Sequence, residues 1–142
     1  MFVPLTPLRC LHRALDLFGA KTGIVSGSLT FTYAQFGERC ERLAAGLTRL
    51  GVGAGDRVAY LSYNNHQLLE GYYGVIQAHA IVMPLNVRLS RGELSAILQH
   101  SGARVARSLA LQPLDPVPYS RVPLMIRCLP RLRIIHRTTR VP

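Results

Sequence analysis

Acidic residues are scarce in this chain and lysine is almost missing. Seven Asp or Glu stand against seventeen Lys or Arg in 142 residues, and Lys21 is the only lysine. Among the six acids of residues 1–104 no paired-carboxylate motif appears, which removes the usual signature of general acid–base hydrolysis. Cysteine is equally sparse. Cys10, Cys40 and Cys128 are an odd, widely spaced set, which argues against a disulfide framework. They stand in no metal-ligand pattern with the five histidines. Long apolar runs are missing too. The most apolar stretch, Leu68 to Leu85, contains Glu70, Gln77, His79 and Pro84. No run of about 18 uncharged apolar residues is left to span a bilayer. The start, Met1-Phe2-Val3-Pro4-Leu5, lacks a basic segment followed by an apolar one. No signal peptide is expected, and a cytoplasmic address is the default expectation.

What is present suits one globular domain. The hydrophobic fraction is 49%, enough for a core. The net charge of +10 is uneven. Residues 105–142 hold seven arginines, one acid (Asp115) and six of the nine prolines. Such asymmetry marks either a nucleic-acid or membrane tail, or a segment never selected as protein. Tyr119 is the only aromatic residue after Ala106 and no nucleic-acid motif is present. Specific nucleic-acid binding is therefore not expected; nonspecific adhesion at low salt is.

Periodicity gives the order of elements. Thr6-Pro7 reads as an N-cap with proline at the first helical position, followed by Leu8, Leu11, Leu15 and Phe18 at helical spacing. Ile24-Val25 and Leu29-Thr30-Phe31 flank a turn and predict a small hairpin. Thr32 and Gln35 predict a capping box opening a helix whose stripe is Phe36, Cys40, Leu43, Ala44, Leu47 and Leu50. Arg57 to Ser62 reads as a strand, and Asn64-Asn65 as the cap of a helix from His66 to Ala78 with little polar face. Ala80 to Met83 is a short strand stopped by Pro84. Ser90 and Glu93 predict a second capping box, and Ala103 to Ala106 starts a third strand. The fold class is α/β: a partial parallel βαβαβ unit preceded by a helix, a small hairpin and a helix. Two crossover helices cannot cover both faces of such a sheet, so more structure is needed. After Ala106 the pattern fails. Proline excludes long helices, and the alternation at Arg131-Leu132-Arg133-Ile134 is too short to carry a domain. Residues 106–142 read as an irregular basic tail.

Candidate chemistry is thin. The glycines between Gly51 and Gly55 lead from a helix into a strand, the reverse of a phosphate loop, and predict a tight turn needing positive φ. His12, His66, His79, His100 and His136 have no Ser or Cys partner at a recognisable spacing. No nucleophile, base or metal site emerges.

Taken in order, however, several segments resemble one family. They are Thr30-Phe31-Thr32-Tyr33-Ala34-Gln35-Phe36, the run from Leu50 to Ala59, Asn64 with Glu70 and Gly74, Pro84-Leu85-Asn86-Val87-Arg88-Leu89-Ser90, and Glu93-Leu94 through His100-Ser101-Gly102-Ala103. Over roughly residues 5–105 the chain resembles the N-terminal region of AMP-forming acyl-CoA synthetases, most closely the bacterial fatty-acyl-CoA ligases. The resemblance implies a two-step reaction: ATP adenylates a carboxylic acid such as a fatty acid, and CoA then displaces AMP, with Mg2+ assisting the first step. It also implies that Arg88, in the Pro-x-Asn-x-Arg-Leu motif, lies near a nucleotide phosphate of CoA. The family's Pro-Lys-Gly phosphate loop, its Tyr-Gly-x-Thr-Glu motif and its C-terminal lysine are absent from the chain. Ala78-His79-Ala80 departs from the glycine that relatives carry at the middle position.

Two segments are expected, 1–105 as the N-terminal subdomain of an acyl-CoA ligase and 106–142 as a tail. The abrupt change after Val105 is what a reading-frame shift in GC-rich DNA produces. The chain alone is expected to be a catalytically inactive truncated fragment needing no cofactor of its own. The alternatives are a non-catalytic interaction module, or a basic, nonspecific binder of nucleic acid or membrane.

Overall fold

The computed structural model describes residues 6–108 together with the backbone of 133–136. Helix α1 (Pro7–Phe18) starts at Pro7 as the sequence predicts, but the Thr6 side chain makes no cap hydrogen bond. The hairpin follows: β1 (Thr22–Ser26) pairs antiparallel with β2 (Leu29–Thr32). Gly27 supplies positive φ, 60°, at the first position of the two-residue turn. Helix α2 (Tyr33–Arg49) opens with the full Thr32–Gln35 capping box, the hydroxyl accepting the Gln35 N–H and the amide oxygen accepting the Thr32 N–H. Glu38 and Arg42 pair on its exposed side at 3.6 Å.

Strand β3 (Arg57–Leu61), helix α3 (His66–Gln77), β4 (Ile81–Leu85), α4 (Arg91–Ser101) and β5 (Val105–Ser108) then alternate, and β6 (Arg133–His136) pairs beyond β5. All pairings in the four-stranded sheet are parallel, in the order β4-β3-β5-β6. Three sequence expectations need correction. The third strand lies at Val105–Ser108, two residues later than predicted, and so runs past Ala106. A strand also forms at Arg133–His136, where pattern alone supported none. Pro84 does not stop β4 but sits inside it. Among the described residues strand β4 is an edge, so a residue without an N–H need not break a ladder there. The rest of the tail, including Asp115, Tyr119 and Cys128, lies outside the described residues.

Side-chain alternation along β3 divides the core. Val58 and Tyr60 point to one face, where they pack with Leu47, Val52, Leu68, Val75 and Val105 under α2 and α3. Ala59 points to the other face and packs with Leu85, Leu94, Leu98, Ala103 and Ala106 under α4. A third cluster of Leu11, Phe36 and Cys40 ties α1 to α2, with Ile24, Leu69 and Tyr73 against it. Helices α2 and α3 cross closely because Gly74 has no side chain. A Cβ there would stand 2.8 Å from the Cys40 carbonyl oxygen. Among the described residues no helix is long and apolar enough to cross a membrane.

Candidate functional site

The connections leaving β3 and β4 turn to opposite faces of the sheet, α3 with the first core and α4 with the second. In open parallel sheets ligands bind along the edge formed by the carboxyl ends of the strands, at the point where the strand order reverses, which in the order β4-β3-β5-β6 is between β3 and β5. Two described loops meet that edge, residues 62–65 after β3 and residues 86–90 after β4.

The second loop carries Arg88, the one site residue that the resemblance implies. Leu85 before the loop is buried, and Leu89 near its end packs against the core under α4. Between them Asn86 closes a tight local turn. Its side-chain oxygen accepts the Arg88 N–H at 2.9 Å, and its carbonyl oxygen accepts the Leu89 N–H at 3.3 Å. The Ser90–Glu93 capping box then fixes the entry to α4: Glu93 accepts the Ser90 N–H at 2.8 Å and the Ser90 O–H at 2.7 Å. These bonds hold the Glu93 carboxyl below the usual carboxylate range. The Arg88 side chain is exposed and has no hydrogen-bond or ion-pair partner among the described residues. It is a free guanidinium on a fixed backbone, which suits recognition of a phosphate by a planar fork of donors.

Near the first loop, the hairpin and the start of α3 border an open groove of about 490 Å3, lined in part by Ile24, Ser26, Asn64, His66, Leu69 and Tyr72. Here the structure brings together a pair that sequence spacing did not reveal. The His66 Nδ1 lies 3.1 Å from Ser26 Oγ, which also accepts the His66 main-chain N–H at 3.3 Å. The His66 ring rests 5.2 Å from that of Phe31, and the Arg39 guanidinium lies over the same Phe31 at 4.8 Å. Arg39 in turn donates from Nε to the buried Glu70 at 2.6 Å. This series of contacts latches the hairpin onto α2 and α3. It neutralises Glu70, the one buried carboxylate among the described residues, which would be costly unpaired. Asn65 caps α3 by accepting the Leu68 N–H at 3.0 Å, as expected from the sequence.

The glycine turn behaves as predicted, with φ of 80° at Gly51 and 78° at Gly55. Its electrostatics explain why it is no anion cradle. The Gly53 N–H already donates to the Asp56 carboxylate at 2.9 Å, and Arg104 pairs with the same oxygen at 2.8 Å. These contacts, the Gly53 bond first, hold the Asp56 carboxyl below its ordinary range. A phosphate would have to displace a negative charge built into the loop. Elsewhere, burial and the nearby Glu70 charge push the Cys40 thiol up to about 12, so it is inert packing. Among the described residues no group of three or more His, Cys, Asp or Glu could hold a metal ion.

The family model described as AMP-binding enzyme matches residues 11–124. The peroxisomal benzoate–CoA ligase of Arabidopsis thaliana is 37% identical over 103 residues, covering 72% of this chain and 18% of its own length. The 4-hydroxybutyrate–CoA ligase 2 of Metallosphaera sedula is 35% identical over 100 residues, covering 70% of this chain and 18% of its own. Among solved structures, a fatty acyl CoA synthetase of Mycobacterium tuberculosis superposes with a TM-score of 0.67 at 34% identity. That match covers 69% of this chain and 20% of the other. The chain thus spans about a fifth of the length of the relatives it matches.

Proposed function

Because this chain belongs to the AMP-binding enzyme family, we propose that it is the N-terminal portion of an ATP-dependent, AMP-forming ligase that joins a carboxylic acid to CoA. The observation that carries this reading is the continuous match to acid–CoA ligases over about 100 residues. A fatty acid is the proposed substrate, supported by the likeness to a fatty acyl CoA synthetase. Benzoate and 4-hydroxybutyrate in the other relatives' names make the acid the part most in need of a test.

In this proposal Arg88 meets a nucleotide phosphate of CoA. The first chemical step needs groups that this chain does not supply. Lys21, its only lysine, rests its Nζ 4.9 Å over the Phe18 ring, far in role from a mobile adenylating lysine. The described residues offer no carboxylate cluster fit for Mg2+ either, so no step is assigned to the metal here. The purified chain should therefore show no ATP–pyrophosphate exchange with a mixture of fatty acids. Carboxylate-dependent exchange would overturn the claim that it is inactive alone.

The proposal also takes residues 1–105 as the ligase-like part and 106–142 as a tail of different origin. Translating the other two reading frames downstream of the Val105 codon tests this. A frame that continues with an apolar strand and a phosphate loop supports a frame shift, and the lack of one in both frames rules it out. A cytoplasmic address belongs to the same proposal. Fluorescent-fusion imaging decides it, since the benzoate–CoA ligase relative is peroxisomal.

A further inference from the structure

We propose that Asn86 is a positioning residue for Arg88: its side chain sets the backbone from which the guanidinium reaches a phosphate. The inference rests on the reading of Arg88 given above and adds a residue to it. The loop from Asn86 to Ser90 is anchored at both ends, by buried Leu85 and by Leu89 against the core under α4. Between these anchors, the Arg88 N–H is held by the Asn86 side-chain oxygen at 2.9 Å. Asn side chains form this kind of turn with the main chain two residues on, and alanine cannot. Without it, the N–H turns to water and the Arg88 backbone loses a fixed direction. Ordering it again would then be charged to ligand binding.

The alternative anion site next to the loop, the N-terminus of α4, is already occupied by charge. Glu93 lies 2.8 Å from the Ser90 N–H and repels a phosphate approaching that end. The burden therefore falls on the arginine and on what orients it. Asn86 is exposed, so its replacement leaves the packing of both cores untouched.

The test titrates the full chain with adenosine 3′,5′-bisphosphate, which carries CoA's nucleotide phosphates, and follows amide shifts by NMR. Arg88→Ala should weaken binding about three- to fivefold, the range of an exposed ion pair. Asn86→Ala should weaken it about twofold and speed hydrogen exchange at the Arg88 amide. Asn86→Ser, which keeps an acceptor, should recover most of both effects while all variants melt alike. Two outcomes are distinguishable failures. If the parent chain shows no saturable shift, or Arg88→Ala binds as the parent does, the CoA reading falls. If Arg88→Ala weakens binding and Asn86→Ala changes neither affinity nor exchange, the positioning role falls and the CoA reading stands.

Discussion

The two faces of the parallel sheet are built from the same strands and finished to different degrees. On the α2/α3 face, Val58, Tyr60, Val75 and Val105 are shielded to within 1% of full burial, and two helices cross over them at Gly74. On the α4 face one helix does the covering. Two of the three buried strand residues there are small, Ala59 and Ala106 beside Leu85, while Leu61 and Met83 are only partly buried. Ile81 is 51% and Ile97 37% exposed. A closed core resists change because its neighbours cannot move in to fill a gap; an open one yields. Among the described residues, the first face is complete and the second still has apolar surface to give.

The sharpest way to break this contrast is a pair of matched truncations. Leu47→Ala, on the closed face, should cost about 3–4 kcal/mol of unfolding free energy, and Leu98→Ala, under α4, about 2 kcal/mol. Equal losses in urea titrations would mean that both faces are equally rigid. Gly74→Ala comes next. Its new methyl meets the Cys40 carbonyl oxygen, which is backbone and cannot step aside, so a loss of about 2 kcal/mol is expected.

High pH should also tell the faces apart. Burial pushes the Tyr60 phenol up to about 12, as it does the Cys40 thiol. Both values are raised on folding, so the stability linked to them is complete below about 9 to 10, where the unfolded groups still hold their protons, and drains away as the pH climbs toward about 12. Among the described residues, the cluster under α4 is Ala59, Leu85, Leu94, Leu98, Ala103 and Ala106, none of which titrates. Alkaline unfolding followed by circular dichroism should therefore lose part of its pH slope in Tyr60→Phe. At neutral pH the same variant should lose little stability, because among the described residues Tyr60 Oη makes no well-formed hydrogen bond and the nearby Arg107 guanidinium only partly offsets its burial. A clear loss at neutral pH would mean the hydroxyl is satisfied in solution.

The smallest effect is a gain. His79, in the turn between α3 and β4, holds φ of 59°, a left-handed conformation that suits glycine. His79→Gly should raise stability by about 0.5–1 kcal/mol, read as a higher melting temperature.

Local signals were legible and tertiary ones were not. Both capping boxes, the Asn65 cap and the Gly51 turn could be read because each is complete within a few residues. The alternation of strand and helix was enough to give a parallel sheet. By contrast, Ser26 and His66 meet across 40 positions, and Arg39 and Glu70 across 31, so no spacing rule joins them. Pro84 was misread as a stop because its edge position depends on strand order, which sequence does not display. The β6 strand was too short to identify by pattern; it exists through pairing with β5. The Asn86 turn to Arg88 is as local as any cap, but Asn86 stands in the sequence without the helical pattern that makes a cap visible.

The strand order has a consequence for how the fold comes into being. Central strand β3 finds one neighbour early, where Arg57 meets Ile81, and the other late, where Val58 meets Val105. The second closure spans nearly twice as much chain, which adds about 0.6 kcal/mol of loop entropy before any contact repays it. During synthesis, β3, α3 and β4 can assemble on α2 while β5 is still being made. The kernel that can form first thus carries Val58, Tyr60 and Val75 of the α2/α3 face, Val105 closes that face when β5 joins, and a chain altered beyond Val105 would still begin to fold along the same route.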